Sequence, residues 1–198
     1  MGSLNWLLAT HNKGKIKELR VILEDRAVDI VGLEDLGIDA ESPESGETFL
    51  ENAMQKAQFY RARAGMPVLA DDSGLEVDAL NGAPGIHSAR FGGLPDHGAK
   101  CAYLLQLLEG TEAAYRSARF HCAAAYYDGH RFITAQGSLE GFIGFQPVGD
   151  GGFGYDPIFH PRMDGPSLAQ VDMAEKNRIS HRGIAFRRLL EAIREHSG

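Results

Sequence analysis

The order of apolar and polar segments in the first 33 residues most constrains how this chain can fold. Residues 5–9 (NWLLA) and 28–33 (VDIVGL) have the short apolar character of buried strands. They are separated by the polar loop THNKGK (10–15) and by an amphipathic run. The apolar residues of that run recur at helical spacing: Ile16, Leu19, Ile22 and Leu23. A strand, a helix and a second strand in this order indicate an α/β protein.

A second helix is marked by signals at both of its ends. Thr48 and Glu51 have the spacing of a capping box, in which the hydroxyl and the carboxylate each satisfy a free backbone N–H. Gly65 predicts the end of this helix. Asn52 and Lys56 are four residues apart, so we expect them to share one face of it.

Further elements are predicted from apolar runs and turn residues. The strand candidates are residues 67–70 (PVLA), 118–127 and 131–140, and the helix candidates are residues 99–108 and 182–194. Asp128 and Gly129 predict a hairpin turn between the last two strands. Residues 81–93 are predicted to form a glycine-proline loop. The sequence contains no internal repeat and no long linker, so we expect residues 1–198 to form a single domain.

The composition is that of a globular protein with an acidic balance. Hydrophobic residues make up 43% of the 198 residues and charged residues 24%, which is ordinary for a folded domain. The formal net charge of −7 argues against a binder of duplex nucleic acid, which usually presents a basic face. No apolar stretch approaches the length of a membrane span, and the N-terminus lacks a secretory signal pattern. We therefore expect a soluble, cytoplasmic protein that binds neither nucleic acid nor membrane.

The two cysteines do not form a recognisable motif. Cys101 and Cys122 make no C-x-x-C pair, and their spacing matches no metal-binding pattern. Free buried thiols in a reducing compartment are the simplest interpretation. A disulfide or a metal-ligand role is the alternative.

The loop THNKGK joins the first strand to the first helix. Backbone N–H groups at the start of a helix, with Lys13 and Lys15 nearby, are suited to holding phosphate. The loop lacks the G-x-x-x-x-G-K-[ST] pattern of a P-loop. A plain connection between a strand and a helix is the alternative.

The stretch LADDSG (69–74) places two adjacent carboxylates after an apolar run. Acidic residues at the carboxyl end of a strand in an α/β fold lie where such folds usually bind ligands. Asp71 and Asp72 would tolerate each other beside a divalent cation, and Mg²⁺ prefers oxygen ligands and substrate phosphates. Glu44, in the acidic segment before the second helix, could complete that site. A solvated acidic turn remains the alternative.

Residues 149–154 (GDGGFG) match G-x-G-x-x-G but are not a dinucleotide fingerprint. The segment YDPIF follows them, and its proline is a poor fit to the helix that such a fingerprint requires. A glycine-rich loop carrying Phe153 and Tyr155 instead suits the close approach of a flat ligand, with an aromatic face to stack on it. A tight turn between strands is the alternative.

Residues 175–183 (EKNRISHRG) concentrate charged side chains near the C-terminus. A functional interpretation places Lys176 against phosphate or base and lets His181 and Arg182 donate hydrogen bonds to ring oxygens. A solvated charged face is the alternative. The sequence contains no zinc-deaminase, H-E-x-x-H or G-x-S-x-G pattern.

Together these segments resemble the inosine triphosphate pyrophosphatase family, whose members hydrolyse non-standard purine nucleoside triphosphates such as ITP, dITP and XTP. The resemblance extends from about residue 5 to 194. It is carried by THNKGK, GETFLENAMQKA, LADDSGLEVDALNGAPGIHSARF, GGFGYDPIF and EKNRISHRGIAF, which occur in the order seen in that family.

The resemblance implies a long, twisted, mixed sheet flanked by helices, with two lobes and a central active-site cleft. It also implies a homodimer, Mg²⁺, and the products nucleoside monophosphate and pyrophosphate. Asp72 corresponds to the catalytic proton acceptor, and Glu44 and Asp72 to the metal-associated acids. The positions that correspond to substrate-binding residues are Thr10, His11, Asn12, Lys13, Gly14, Lys15, Lys56, Ser73, Phe153, Gly154, Tyr155, Asp156, Lys176, His181 and Arg182.

The chemistry of these residue types agrees with that activity. Hydrolysis between the α and β phosphates needs a water molecule aimed in line at the α phosphorus, and we expect Asp72 to orient and deprotonate it. Lys13, Lys15 and Lys56 would offset the charge that develops on the leaving pyrophosphate.

Two other interpretations stay open on the sequence alone. A Maf-like nucleotide pyrophosphatase would share the gross architecture and prefer other nucleotides, but it would lack the SHR motif at residues 180–182. A non-catalytic nucleotide-binding module would bind ITP without hydrolysing it.

Overall fold

The computed structural model describes residues 4–24 and 28–196, so both ends of the expected domain 1–198 lie outside the described residues. The strands are β1 (Leu4–Leu8), β2 (Val28–Gly32), β3 (Val68–Val77), β4 (Ser117–Tyr127), β5 (Phe132–Ile143) and β6 (Phe159–His160). The α-helices are α1 (Lys13–Leu23), α2 (Phe49–Ala64), α3 (His97–Leu107), α4 (Met173–Ile179) and α5 (His181–Glu195). Short 3₁₀ helices occur in several of the connections. No helix among the described residues is both long and apolar enough to cross a membrane.

The strands form one mixed sheet in the order β2-β1-β3-β4-β5-β6. β1 runs parallel to β2 and β3, whereas β5 and β6 are antiparallel. The predicted α/β class with a mixed sheet flanked by helices is therefore confirmed.

The chain divides into two compact units, and each has its own apolar core. Unit 1 comprises residues 1–72, 122–137 and 182–198, and unit 2 comprises residues 73–121 and 138–181. The core of unit 1 collects buried residues of β1, α1, β4 and α5, among them Trp6, Leu19, Cys122, Phe186 and Leu189. The core of unit 2 collects buried residues of β3, α3, β4, β6 and the segment before β6, among them Leu75, Leu104, Phe120, Ile158 and Phe159.

β3 is longer than the sequence predicts, and this changes the position of the paired aspartates. The apolar run was expected to end before Asp71, but the strand continues to Val77. It continues because Leu75 and Val77 are fully buried in the core of unit 2. Asp71 and Asp72 therefore lie within a strand rather than after one.

The register of β1 places these aspartates at an edge of the sheet. β1 pairs with β3 at Leu7–Val68 and Leu8–Leu69 and then ends. Asp71 and Asp72 thus lie beyond the carboxyl end of β1, where the chain leaves the sheet for α1. Parallel strands in α/β folds bind ligands at this edge.

The capping box of α2 is confirmed only in part, and one helix was not predicted. Thr48 caps α2 by accepting the Glu51 N–H at 3.1 Å, as expected. The Glu51 carboxylate, however, accepts the N–H of Glu47 at 2.7 Å and not that of Thr48, so the reciprocal half of the capping box is wrong. α4 was not predicted, although Asp172 caps it by accepting the Glu175 N–H at 2.9 Å and this Asp-x-x-Glu pattern is visible in the sequence.

Candidate active site

Asp71 and Asp72 are adjacent in sequence but have separate surroundings in unit 1. Successive side chains of a strand point to opposite faces of the sheet. Asp71 lies against α1 and α5, and Asp72 lies against α2. The alternation of the strand thereby separates the two carboxylates and gives each its own polar neighbours.

Asp71 is the centre of a buried ion-pair network. Its Oδ2 lies 2.9 Å from Lys15 Nζ and 3.3 Å from Arg182 Nε. The other side of the Arg182 guanidinium is bound by Glu18. Burial alone would raise the pKa of Asp71, but the positive charges of Lys15, Arg182 and Lys56 outweigh it and hold that pKa below the usual range. Asp71 is therefore a permanent anion that fixes two cations.

Asp72 has the opposite electrostatic character. Asn52 Nδ2 donates to its Oδ2 at 3.0 Å, and Lys56 Nζ lies 3.9 Å from its Oδ1. Burial raises the pKa of Asp72 above its ordinary value, and the charge of Lys56 opposes this only in part. A carboxylate with a raised pKa and a fixed orientation is suited to accept a proton.

Lys56 joins the two aspartates to the acidic segment before α2 (residues 40–47). Its Nζ donates to the Asp71 backbone oxygen at 3.1 Å and lies 2.9 Å from Glu44 Oε1. Burial alone would lower the pKa of Lys56, but the carboxylates of Asp72, Glu44 and Asp71 outweigh it and raise that pKa. Lys56 is therefore held in the charged form with its ammonium group among three acidic side chains.

The acidic segment is fixed on α2 through its backbone. The Gly46 N–H donates to Asn52 Oδ1 at 2.8 Å, so Asn52 binds this segment and Asp72 at the same time. A Cβ at Gly46 would lie 2.9 Å from Asn52 Oδ1, so this close approach requires glycine. The arrangement sets the position of Glu44, two residues earlier in the chain.

The predicted loop at residues 10–15 joins β1 to α1, but the helix already begins at Lys13, with Asn12 as its N-cap. Asn12 Oδ1 accepts the Lys15 N–H at 3.1 Å, and Thr10 Oγ1 accepts the Asn12 N–H at 3.1 Å. Lys13 is exposed and Gly14 is half-buried. Lys15, however, is paired with Asp71, so Lys13 is the lysine of this loop that extends into solvent.

A second cluster lies in unit 2 and contains the predicted aromatic and charged residues of the glycine-rich loop. Asp156 Oδ2 accepts the Phe153 N–H at 2.7 Å and also binds Lys176 Nζ. The Lys176 ammonium lies 4.9 Å from the centroid of the Phe153 ring. Gly152 has φ +69°, and a Cβ there would clash with the Asp156 carboxylate, so only glycine allows this turn. Phe153 is thus a half-buried aromatic ring fixed by a buried ion pair.

The other predicted residues of unit 2 have different positions. Tyr155 is buried in the core and donates from its hydroxyl to the Ser88 backbone oxygen at 3.0 Å, so Phe153 is the aromatic residue of the two suited to stacking. His181 is buried and stacks on Phe120, with ring centroids 4.8 Å apart and planes at 11°. The Gly154 backbone oxygen accepts from the Cys101 thiol at 3.5 Å.

The surroundings of Arg182 differ from those that the sequence predicts. Ser73 directly follows the two aspartates in the chain. Arg182 is 2% exposed and belongs to the network of Asp71 and Glu18, so its guanidinium is directed into unit 1. Ser73 is half-buried on β3, beside Asp72 in the chain.

The oxygen donors around Lys56 include two carboxylates suited to Mg²⁺. Within residues 4–24 and 28–196, no three His, Cys, Asp or Glu side chains are grouped closely enough to hold a metal ion by themselves. Glu44 and Asp72 nevertheless face the same ammonium group of Lys56. Mg²⁺ is commonly bound through one or two carboxylates together with substrate phosphates and water. The residues fit Mg²⁺ only in the company of a phosphate-bearing ligand.

Sequence reasoning missed three members of these clusters. Glu18 was not singled out in the sequence, yet it is 3% exposed and paired with Arg182. Asn52 was placed on the face of Lys56, but its bond to Asp72 was not predicted. Asp71 was not assigned a role separate from that of Asp72. An acidic side chain at an inward position of α1 was the available signal for Glu18.

The fold and these clusters define an α/β protein with a candidate active site around Asp71 and Asp72. Comparison with known sequences identifies its family. The sequence profile of the Ham1 family matches residues 6–192. The chain belongs to the Ham1 family, and the resemblance inferred from the motifs is confirmed.

Relatives of known name cover nearly the whole chain. A protein of Desulforamulus reducens named dITP/XTP pyrophosphatase is 47% identical over 189 residues, which is 94% of each chain. A protein of the same name from Shigella flexneri is 45% identical over 192 residues, covering 95% of this chain and 97% of the relative.

Solved structures of similar proteins also match nearly the whole chain. A HAM1 protein from Coxiella burnetii superposes with a TM-score of 0.85 and 37% identity, covering 97% of this chain and 99% of its own. The nucleoside-triphosphatase / dITP/XTP pyrophosphatase from Mycobacterium abscessus superposes with a TM-score of 0.76 and 40% identity, covering 94% of this chain and 99% of its own.

Proposed function

We propose that this protein is a nucleoside triphosphate pyrophosphatase that hydrolyses non-standard purine nucleotides. It converts ITP, dITP or XTP to the monophosphate and pyrophosphate, and so removes them before they enter DNA or RNA. The observation that carries the proposal is the environment of Asp72: a carboxylate with a raised pKa, oriented by Asn52 and Lys56 at the carboxyl end of β1. The relatives named dITP/XTP pyrophosphatase support the substrate class.

Asp72 accepts the proton of the attacking water. As the water oxygen bonds to the α phosphorus, the bond from that phosphorus to the bridging oxygen breaks, and pyrophosphate leaves with the bonding electrons. The raised pKa of Asp72 makes it a stronger proton acceptor than an ordinary carboxylate. Asn52 holds one carboxylate oxygen, which leaves the other, on the side of Lys56, for the water.

The cationic groups of unit 1 offset the charge of the triphosphate and of the leaving pyrophosphate. Lys13 is free to extend toward a phosphate, and the N-terminus of α1 presents backbone N–H groups. Lys56 is held beside Asp72 in its charged form. We infer that Glu44 and Asp72 hold Mg²⁺ together with the substrate phosphates, and the bound ion supplies further neutralisation of phosphate charge.

The cluster of unit 2 recognises the base in this proposal. The Phe153 ring offers a stacking face, and Lys176 lies above it as a donor for ring oxygens. His181 is proposed as a further donor, and Ser73, Gly154, Tyr155 and Asp156 as residues that contact or support the substrate. Arg182 is assigned a supporting role through Asp71, because its guanidinium is already bound by two carboxylates.

The remaining features of the proposal concern the whole molecule. Both units belong to one catalytic domain, since the chain passes between them at residues 72/73, 121/122, 137/138 and 181/182 and no single linker separates them. The proposed active form is a cytoplasmic homodimer, and nucleic acids and membranes are not its partners.

The experiment that tests this function measures pyrophosphate release from ITP, dITP, XTP, GTP, ATP and dTTP, with Mg²⁺ and with EDTA. Metal-dependent release from ITP, dITP and XTP supports the proposal. Preferential release from dTTP would assign the protein to the Maf-like activity. Binding of ITP without release from any nucleotide would indicate a non-catalytic binding module.

A further inference from the structure

One face of α2 connects the acidic segment to the loop that begins α1. Asn52, Lys56 and Tyr60 are spaced four residues apart, so they form a single stripe along the helix. Asn52 binds the Gly46 N–H, Lys56 binds Glu44, and the Tyr60 hydroxyl donates to the Ala40 backbone oxygen at 3.0 Å. Three side chains of one helix face therefore hold residues 40–46.

His11 extends this connection to the phosphate-binding loop. Its ring meets the Tyr60 ring edge to face, with centroids 6.4 Å apart and planes at 71°. This geometry is among the preferred arrangements of aromatic pairs. Tyr60 is 3% exposed, so its ring is fixed by its surroundings, and it offers His11 a rigid surface.

The surroundings of His11 Nε2 argue against phosphate binding by this ring nitrogen. Its Nε2 is buried, and within the described residues it has no hydrogen-bond partner. A ring nitrogen that donates to a phosphate needs access to the ligand. The burial of Nε2 and the contact with Tyr60 favour a packing role for this half-buried ring.

We propose that His11 is a positioning residue, which with Tyr60 fixes the phosphate-binding loop (residues 10–15) relative to the acidic segment (residues 40–47) that carries Glu44. This proposal rests on the proposed function and refines the role of His11, which the sequence placed among the substrate contacts. Removing the ring leaves a gap between loop and helix, so both segments become more mobile. The greater mobility weakens binding of the phosphate chain, and the preference for one base over another stays unchanged.

The amides of the acidic segment provide a readout that needs no turnover. The N–H groups of Ser45, Gly46 and Glu47 are bound by α2 side chains, namely Gln55, Asn52 and Glu51. Their hydrogen exchange therefore reports how firmly the segment is docked on α2. Affinity for inorganic tripolyphosphate with Mg²⁺, measured by calorimetry, reports the phosphate-binding loop without a base.

The experiment compares His11→Ala with His11→Phe, which keeps an aromatic ring, and with Tyr60→Phe, which keeps the ring and loses the bond to Ala40. We expect His11→Ala to speed exchange at residues 45–47 and to weaken tripolyphosphate binding, each by about threefold to tenfold. His11→Phe should retain both properties, and Tyr60→Phe should speed the exchange alone. The ratio of activity on ITP to activity on ATP should be the same in all three. Tyr115→Ala, at an exposed ring 67% accessible, is the control.

Two results would overturn the proposal. If His11→Phe loses tripolyphosphate affinity as His11→Ala does while exchange at residues 45–47 stays normal, His11 contacts the phosphates itself. If His11→Ala changes neither property, the pair does not couple the two segments. Exchange and tripolyphosphate binding do not require hydrolysis, so either result is distinguishable from failure of the proposed function, which would appear as absent pyrophosphate release in the unmodified protein.

Discussion

Asp71 and Asp72 are consecutive residues whose pKa values shift in opposite directions. The pKa of Asp71 is lowered because Lys15, Arg182 and Lys56 overcome the effect of burial, whereas burial raises the pKa of Asp72. The cause is the alternation of side chains along β3, which places Asp71 among cations of α1 and α5. One carboxylate thus serves the structure, and its neighbour is available for chemistry.

Replacing Asp72 with Asn should greatly reduce activity and preserve the fold. The amide cannot accept the proton of water, so we expect pyrophosphate release from ITP to fall by about 10²- to 10⁴-fold. Stability should change little, because the neutral amide avoids the cost of burying a charge and Lys56 keeps Glu44 as a partner at 2.9 Å. Activity assays and urea denaturation test both parts, with Asp78→Asn, at a carboxylate paired with Arg119 in unit 2, as the control. Near-normal turnover by folded Asp72→Asn would remove Asp72 from the mechanism.

Replacing Asp71 with Asn should, by contrast, reduce stability. Arg182 is 2% exposed and would lose a carboxylate partner, as would Lys15. Breaking a buried ion pair on one side typically costs about 3–5 kcal/mol, because it leaves an uncompensated charge. Urea denaturation should therefore show a large loss for Asp71→Asn and little change for Asp72→Asn. Equal stability of the two variants would contradict the separate roles assigned to them.

Phe153 and Lys176 should affect base recognition in distinguishable ways. Stacking is available to every base, so Phe153→Ala should reduce kcat/KM for ITP, XTP and ATP alike, by about 1–3 kcal/mol in transition-state stabilisation. Lys176→Met removes a hydrogen-bond donor, so it should lower kcat/KM for ITP and XTP more than kcat/KM for ATP. The ratio of kcat/KM for ITP to kcat/KM for ATP should fall by about tenfold. Measurements of kcat/KM for ITP, XTP and ATP with each variant test both expectations. An unchanged ratio in Lys176→Met would place base selection elsewhere.

Both cysteines should be unreactive in the folded protein. Cys101 and Cys122 are buried free thiols, as the sequence predicted. Burial raises the pKa of Cys101 to about 11, and it raises that of Cys122 as well, so little reactive thiolate exists near pH 8. Titration with a chromogenic disulfide reagent should detect no rapid reaction until the chain is unfolded, when both thiols react. Rapid modification of one thiol in the native protein would show that its site opens easily.

The sequence by itself determined the local elements of this protein. The strand-helix-strand opening, the cap of α2 by Thr48, the hairpin after β4 and the shared face of Asn52 and Lys56 all appear as predicted. Each depends on residues a few positions apart, and backbone propensity and side-chain spacing decide such features without the rest of the chain. The family was also recognisable, because its motifs keep their order along the chain.

Only the tertiary structure decided which charges meet. Arg182 lies 111 residues from Asp71 in sequence, and no local pattern predicts that Glu18 binds it as well. The continuation of β3 through Asp71 and Asp72 likewise depends on burial of Leu75 and Val77 in a core built from distant segments. Desolvation and Coulomb interactions act through space, so the pKa values that distinguish the two aspartates exist only once the strand is packed between its helices.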